Sequence, residues 1–174
     1  MMNTTPDEAL ANLFSNTEFS PRVIFFSMDE NDVQYALKQP WVSVGSDSGS
    51  PTPADRAANN AVHPRGYGSF ARVAGHYVRD VKLFTLEEAV RKMTSQAADR
   101  AHLEDRGILR PGMKADIVVF DANAIRDVST FEDPHHFSEG VSDVIVNGVP
   151  VLRDGAATNA LPGRTIRGRG YVRK

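Results

Sequence analysis

The chain has 174 residues, enough for one domain or one and a fraction, and its 41% apolar and 24% charged residues are ordinary for a globular protein. A net charge of −2 and a pI near 6.2 leave no electrostatic case for nucleic acid or an anionic membrane as partner. The absence of cysteine excludes disulfides, thiolate metal sites and a cysteine nucleophile, and fits a reducing cytoplasm.

The first residues, Met1 to Glu8, are polar and acidic and predict no secretory leader. No apolar run approaches the ~20 residues of a membrane span. Residues 7–15 predict a short helix, with Leu10, Leu13 and Phe14 on one stripe and Asp7 and Glu8 at the positive end of its dipole. Arg22 to Met28 contains four consecutive apolar residues, which predicts a strand buried on both faces, as parallel sheets require. Asp32 to Lys38 predicts a helix stopped by Pro40. Trp41 to Gly45 reads as a second strand, running into Ser46-Asp47-Ser48-Gly49-Ser50. Helix, strand, helix, strand is the βα repeat of a parallel barrel or a doubly wound sheet, an α/β class. Only two strands are present, where a full barrel has eight in ~250 residues.

Residues 51–68, rich in Pro, Gly, Asn and Ala, read as a loop, and Phe70 to Asp80 as a helix. Thr85 and Glu88 have the spacing of a capping box. The helix they open is expected to reach about His102, with Leu86, Ala89, Val90, Met93 and Ala97 facing a core. From Gly107 a turn around Pro111-Gly112 feeds an apolar run, Ile117 to Phe120, bracketed by Asp116 and Asp121. Val144 to Leu152 predicts a hairpin. Asn147-Gly148 supplies the two positive φ values of a type I′ turn, and Pro150 puts its arm on an edge. Asp154-Gly155 marks a further turn. The period changes near residue 105, which divides the chain into 1–104 and 105–174. Arg164, Arg167, Arg169, Arg173 and Lys174 end the chain with no acid between them and read as a solvated basic tail.

Three groups of residues carry candidate chemistry. Asp47 follows a predicted strand end, the edge where function collects in parallel α/β folds, and a carboxylate there can relay a proton. The same Ser-Asp-Ser-Gly is also an ordinary Asx-turn. His63-Pro64-Arg65 lies on a glycine-rich loop close enough to fold over the same mouth, where Arg65 could fork onto a carboxylate. The five histidines, His63, His76, His102, His135 and His136, show no His-x-His or His-Glu-x-x-His spacing, so they make no self-contained metal site. No Gly-x-Ser-x-Gly elbow is present.

These segments together resemble the N-acyl-D-amino-acid deacylases (D-aminoacylases) of the amidohydrolase superfamily. The resemblance rests on Pro40-Trp41-Val42, Gly45-Ser46-Asp47, His63-Pro64-Arg65 with Gly68-Ser69-Phe70, Leu86 to Ser95, Asp105 to Asp121, Thr130-Phe131-Glu132-Asp133-Pro134 and Val146 to Val151. It runs in order from about residue 20 to 165. The Arg110-Pro111-Gly112 block with Ala115 to Asp121 is shared widely among amidohydrolases. The His63-Pro64-Arg65 and Phe131-Glu132-Asp133-Pro134 blocks belong more to the D-aminoacylase branch.

The resemblance implies the last two strands and C-terminal helices of a TIM-type barrel over 1–104, and part of a small β-sandwich domain over 105–174. It implies that Asp47 is the general base and acid beside a metal. His63, Arg65 and Ser46 would then lie near a small N-acyl amino acid substrate. In a complete enzyme, zinc-bound hydroxide would attack the acyl carbonyl. The family's His-x-His motif and other zinc-holding residues have no counterpart here. Asp47 would be at most a weak or second-site ligand, and the chain alone is expected to hold no metal. The expectation is therefore a C-terminal fragment or a chain that pairs with an N-terminal half. The rivals are an amidohydrolase acting on cyclic amides or ureides, and a non-catalytic fragment.

Overall fold

The structure, a computed structural model, describes residues 4–16, 25–58 and 62–167. Helices fill the first part and an antiparallel sheet the second. The helices are α1 (Pro6–Asn16), α2 (Glu30–Lys38), α3 (Pro53–Ala57), α4 (Arg65–Arg72), a π-helical continuation (Val73–Asp80), α5 (Leu86–Met93) and α6 (Ser95–Arg100). The strands are β1 (Ile117–Phe120), β2 (Val141–Val146), β3 (Val149–Arg153) and β4 (Ala156–Ala157), side by side in chain order as an open sheet.

Local signals account for several helix starts. Thr5 and Glu8 cap α1 reciprocally, with backbone-to-side-chain bonds of 3.0 and 3.3 Å, and Asp29 caps α2 by accepting the Asn31 N–H at 2.8 Å. At α5 the expected box is half formed. Thr85 accepts the Glu88 N–H at 3.3 Å, but the Glu88 carboxylate turns to Arg91 instead of reaching back. The single helix expected to about His102 is broken at Thr94. There the Thr94 hydroxyl donates to the Val90 carbonyl at 2.7 Å and φ/ψ leave the helical region at −127°/−89°. The expected core stripe is rotated as well. Ala89 is fully buried, Val90 is exposed, and the residue that buries completely beside Ala89 is Lys92.

The core is small and made of short side chains. Val73, Tyr77 and Ala89 pack with Val33, Leu37 and Met93, and Ala71 and Ala74 pack on Ile125 with Phe120 and Val141 behind them. The π-helical segment is the centre of both groups, so it joins the helices to the sheet. Arg79 reinforces this joint by donating to the Ile125 carbonyl at 2.7 Å.

Among the described residues, neither predicted strand of the first half is formed. Residues 22–24 lie outside the described residues. From 25 to 28 the chain is irregular, and Phe25, Phe26 and Met28 are each about 80% exposed. Trp41 to Gly45 is also irregular. A parallel strand takes half its hydrogen bonds from each neighbour, and no neighbouring strand flanks this segment among the described residues. Side chains of α5 take the backbone groups instead. Lys92 Nζ donates to the carbonyls of Gln39 (2.5 Å) and Val42 (3.1 Å), and Arg91 donates to that of Pro40 (2.8 Å).

The second half follows its turn chemistry. Asn147 and Gly148 adopt φ of 50° and 81°, the two positive values of a type I′ turn, and Asp154-Gly155 repeats the device at 49° and 75°. The hairpin β2–β3 pairs Val146 with Val149 and Ile145 with Pro150. Pro150 is not on the outermost strand, because β4 follows β3. Yet β4 pairs only with Leu152 and Arg153, so the missing N–H of Pro150 interrupts no bond to it.

Candidate active site

Asp47 sits where the irregular 41–46 segment ends, with φ at +47°, a left-handed value that Asp tolerates better than most residues. Its carboxylate is 91% exposed and meets the Arg65 guanidinium at 3.2 Å. A pair so open to water contributes little to stability. Its meaning is geometric, since it brings together two residues whose closeness in sequence allowed them to share one mouth. Both face a groove of about 410 Å³ that is also lined by Ser48, Asp55 and His63. Ser46, the other expected substrate residue, is half-buried and does not line the groove.

The loop that carries His63 and Arg65 is tightly built. The Arg65 N–H donates to His63 Nδ1 at 3.0 Å, so the neutral ring keeps its proton on Nε2. Partial burial and then the Arg65 charge hold the His63 pKa below the ordinary imidazole value. Gly66 has to be glycine for a steric reason. A Cβ there would stand 2.9 Å from both the Ser48 hydroxyl and the Pro51 ring, so the bare backbone lets α4 start against the Asp47 loop.

Two histidines belong to other networks. His135 Nδ1 pairs with the Tyr67 hydroxyl at 3.0 Å, while His136 Nε2 pairs with Asp133 at 2.7 Å. The adjacent rings face different partners, as neighbours in sequence do. Among the described residues no three His, Asp or Glu side chains converge as a metal ion would require. A second cavity, of about 460 Å³, lies between Arg106, Lys114, Asn147 and Arg164 and holds none of the expected site residues. Arg164 of the basic tail reaches it, while Arg169, Arg173 and Lys174 lie outside the described residues.

Two features around the site were not anticipated, one in the groove and one behind it. Asp55 enters from α3, whose existence inside the predicted loop was missed although Thr52 and Asp55 have capping-box spacing. Lys92 was read only as part of a motif, and it is the buried post that holds the chain leading to Asp47.

The model of the Amidohydrolase family matches residues 16–152, and the chain belongs to that family. Within it, the chain is 45% identical over 143 residues to a D-aminoacylase of Alcaligenes xylosoxydans xylosoxydans, covering 82% of this chain and 28% of that protein. A solved D-aminoacylase described with a binuclear metal center superposes with a TM-score of 0.71 at 42% identity, over 78% of this chain and 27% of that one. The N-acyl-D-glutamate deacylase of Bordetella bronchiseptica, solved with zinc and a phosphonate mimic of the tetrahedral intermediate, gives 0.66 at 39% identity, over 78% and 28%. The chain thus spans under a third of the length of the relatives it matches.

Proposed function

We propose that this chain is the C-terminal portion of an N-acyl-D-amino-acid deacylase, in which Asp47 moves the proton and Arg65 holds the substrate carboxylate. The observation that carries this reading is the convergence of Asp47, His63 and Arg65 on one groove. Hydrolysis of an amide needs a group that takes a proton from the attacking water and returns it to the leaving nitrogen. A carboxylate at an open groove edge can do both, and Asp47 is so placed. Arg65 offers a planar donor fork suited to a carboxylate, and its present partner, Asp47, occupies one nitrogen of that fork. His63 Nε2–H is left as a donor toward the substrate.

The residues present do not fit a zinc site, because no carboxylate–histidine set converges among the described residues. The proposed zinc cage of the complete enzyme therefore belongs to sequence outside this chain, with Asp47 at most a second-site ligand. The same reasoning places 1–104 as barrel end and 105–174 as part of the small β domain. The irregular segments at 25–28 and 41–45 would become strands once barrel neighbours flank them.

The test is metal analysis and turnover, on the chain alone and mixed with a chain supplying the remaining length of a D-aminoacylase. Alone it should retain no stoichiometric zinc and hydrolyse nothing. Mixed, it should turn over N-acyl-D-amino acids and not hydantoins. One tightly held zinc per isolated chain, with turnover, contradicts the proposal.

A further inference from the structure

The connection between β1 and β2 (residues 121–140) is an excursion that leaves the sheet, crosses α4 and returns. Its stem is closed by Arg126 and Glu139, whose backbones exchange bonds of 3.2 and 3.0 Å. Along α4 it is pinned three times. Arg72 pairs with Asp127 at 3.1 Å, Ser138 donates to the Tyr67 carbonyl at 2.9 Å, and the Tyr67 hydroxyl pairs with His135 at 3.0 Å. These anchors fix where the tip of the excursion lies.

At that tip Phe131 meets the His63 ring edge to face, with centroids 5.0 Å apart and planes at 81°. Phe26 stands edge-on to Phe131 in turn, at 4.9 Å and 69°. Phe131 stays 43% exposed and Phe26 79%. The groove thus has polar groups from Asp47, Asp55 and Arg65, and its His63 ring leads on to an open aromatic pair that lies next to the groove and not in its lining. Small-molecule sites commonly combine an apolar wall with a few converging polar groups. A phenylalanine held by a pinned loop is a rigid wall that loses little entropy on contact.

We propose that Phe131 is a specificity-determining residue. With Phe26 it forms the apolar wall beside the Asp47–Arg65 groove and receives the apolar group of an N-acyl amino acid whose carboxylate lies on Arg65. This inference rests on the function proposed above and names the substrate class within it. An apolar side chain or acyl chain loses water against the two rings. An acidic side chain placed there gains nothing from them.

The test is ligand-binding NMR on the full chain with three probes: N-acetyl-D-leucine, N-hexanoyl-D-alanine and N-acetyl-D-glutamate. At least one apolar probe should bind about tenfold more tightly than the glutamate probe, the span of discrimination an apolar pocket gives. Whichever it is shows whether side chain or acyl chain meets the wall. Phe131→Ala should erase that preference and leave the glutamate probe unchanged, and Phe131→Leu should keep most of it. Arg65→Gln should weaken all three. If Arg65→Gln weakens binding but Phe131→Ala leaves the preference intact, this inference alone is overturned. If Arg65→Gln changes nothing, or no probe binds, the functional reading falls with it.

Discussion

The pKa of His63 is held below the ordinary imidazole value by its partly buried setting and by the Arg65 charge beside it. For an imidazole this has a definite sign. The folded chain binds a proton less readily than the unfolded one. Stability is therefore complete above the ordinary value near 6.5 and falls as pH drops from there through the lower folded pKa. A titration of the His63 ring carbon resonances should give a midpoint below 6.5, rising toward it in Arg65→Gln as the second cause is removed. A midpoint at or above 6.5 in the native chain would mean that the ring is not seated in the loop as described. None of this was visible in the sequence. The spacing of His63 and Arg65 allowed their contact, but the ring's setting depends on Phe131, which only the resemblance had grouped with them.

At the scale of elements, the α5 clamp is the feature that local reasoning could not supply. Periodicity assigns Val90 to the core and gives Lys92 no place on that stripe, whereas the structure exposes Val90 and buries Lys92, because a long cation can satisfy carbonyls that no strand satisfies. Lys92→Met should leave the carbonyls of Gln39 and Val42 without their donor in a buried setting and cost about 3 kcal/mol. Val90→Ala, on the exposed side, should stay within about 0.5 kcal/mol. Urea unfolding midpoints of the two variants check the assignment, and a larger loss for Val90→Ala would restore the periodic reading. By contrast, the turns and the central hairpin of the sheet half were legible in the sequence. Asn147-Gly148 and Asp154-Gly155 dictate their φ values locally, though the register shifts between Val144 and Ile145 and between Val119 and Phe120 could not be read from the apolar runs. The segments at 25–28 and 41–45 were misread for the opposite reason. Their apolar runs specify strands only when partners flank them.

For the whole molecule, the proposal that this chain is part of a longer enzyme gives the exposed apolar groups a physical role, as surface that the remaining length would cover. Phe25, Met28 and Trp41 are 64% to 80% exposed in a chain that spans 28% of a D-aminoacylase relative. Among the described residues, no helix is long and apolar enough to cross a membrane. The isolated chain should therefore bind a hydrophobic dye strongly, and a chain supplying the rest of such a relative should suppress that signal. A dye signal unchanged by the complementing chain would show that these residues are not a buried seam of a larger barrel.

The central claim is that Asp47 carries the proton. Its most direct measurement is turnover of an N-acyl-D-amino acid by the complemented chain, comparing the native residue with Asp47→Asn, while sedimentation confirms equal assembly. Loss of about a hundredfold or more is expected, the scale of a positioned acid–base group. Undiminished turnover in the assembled variant would contradict the account.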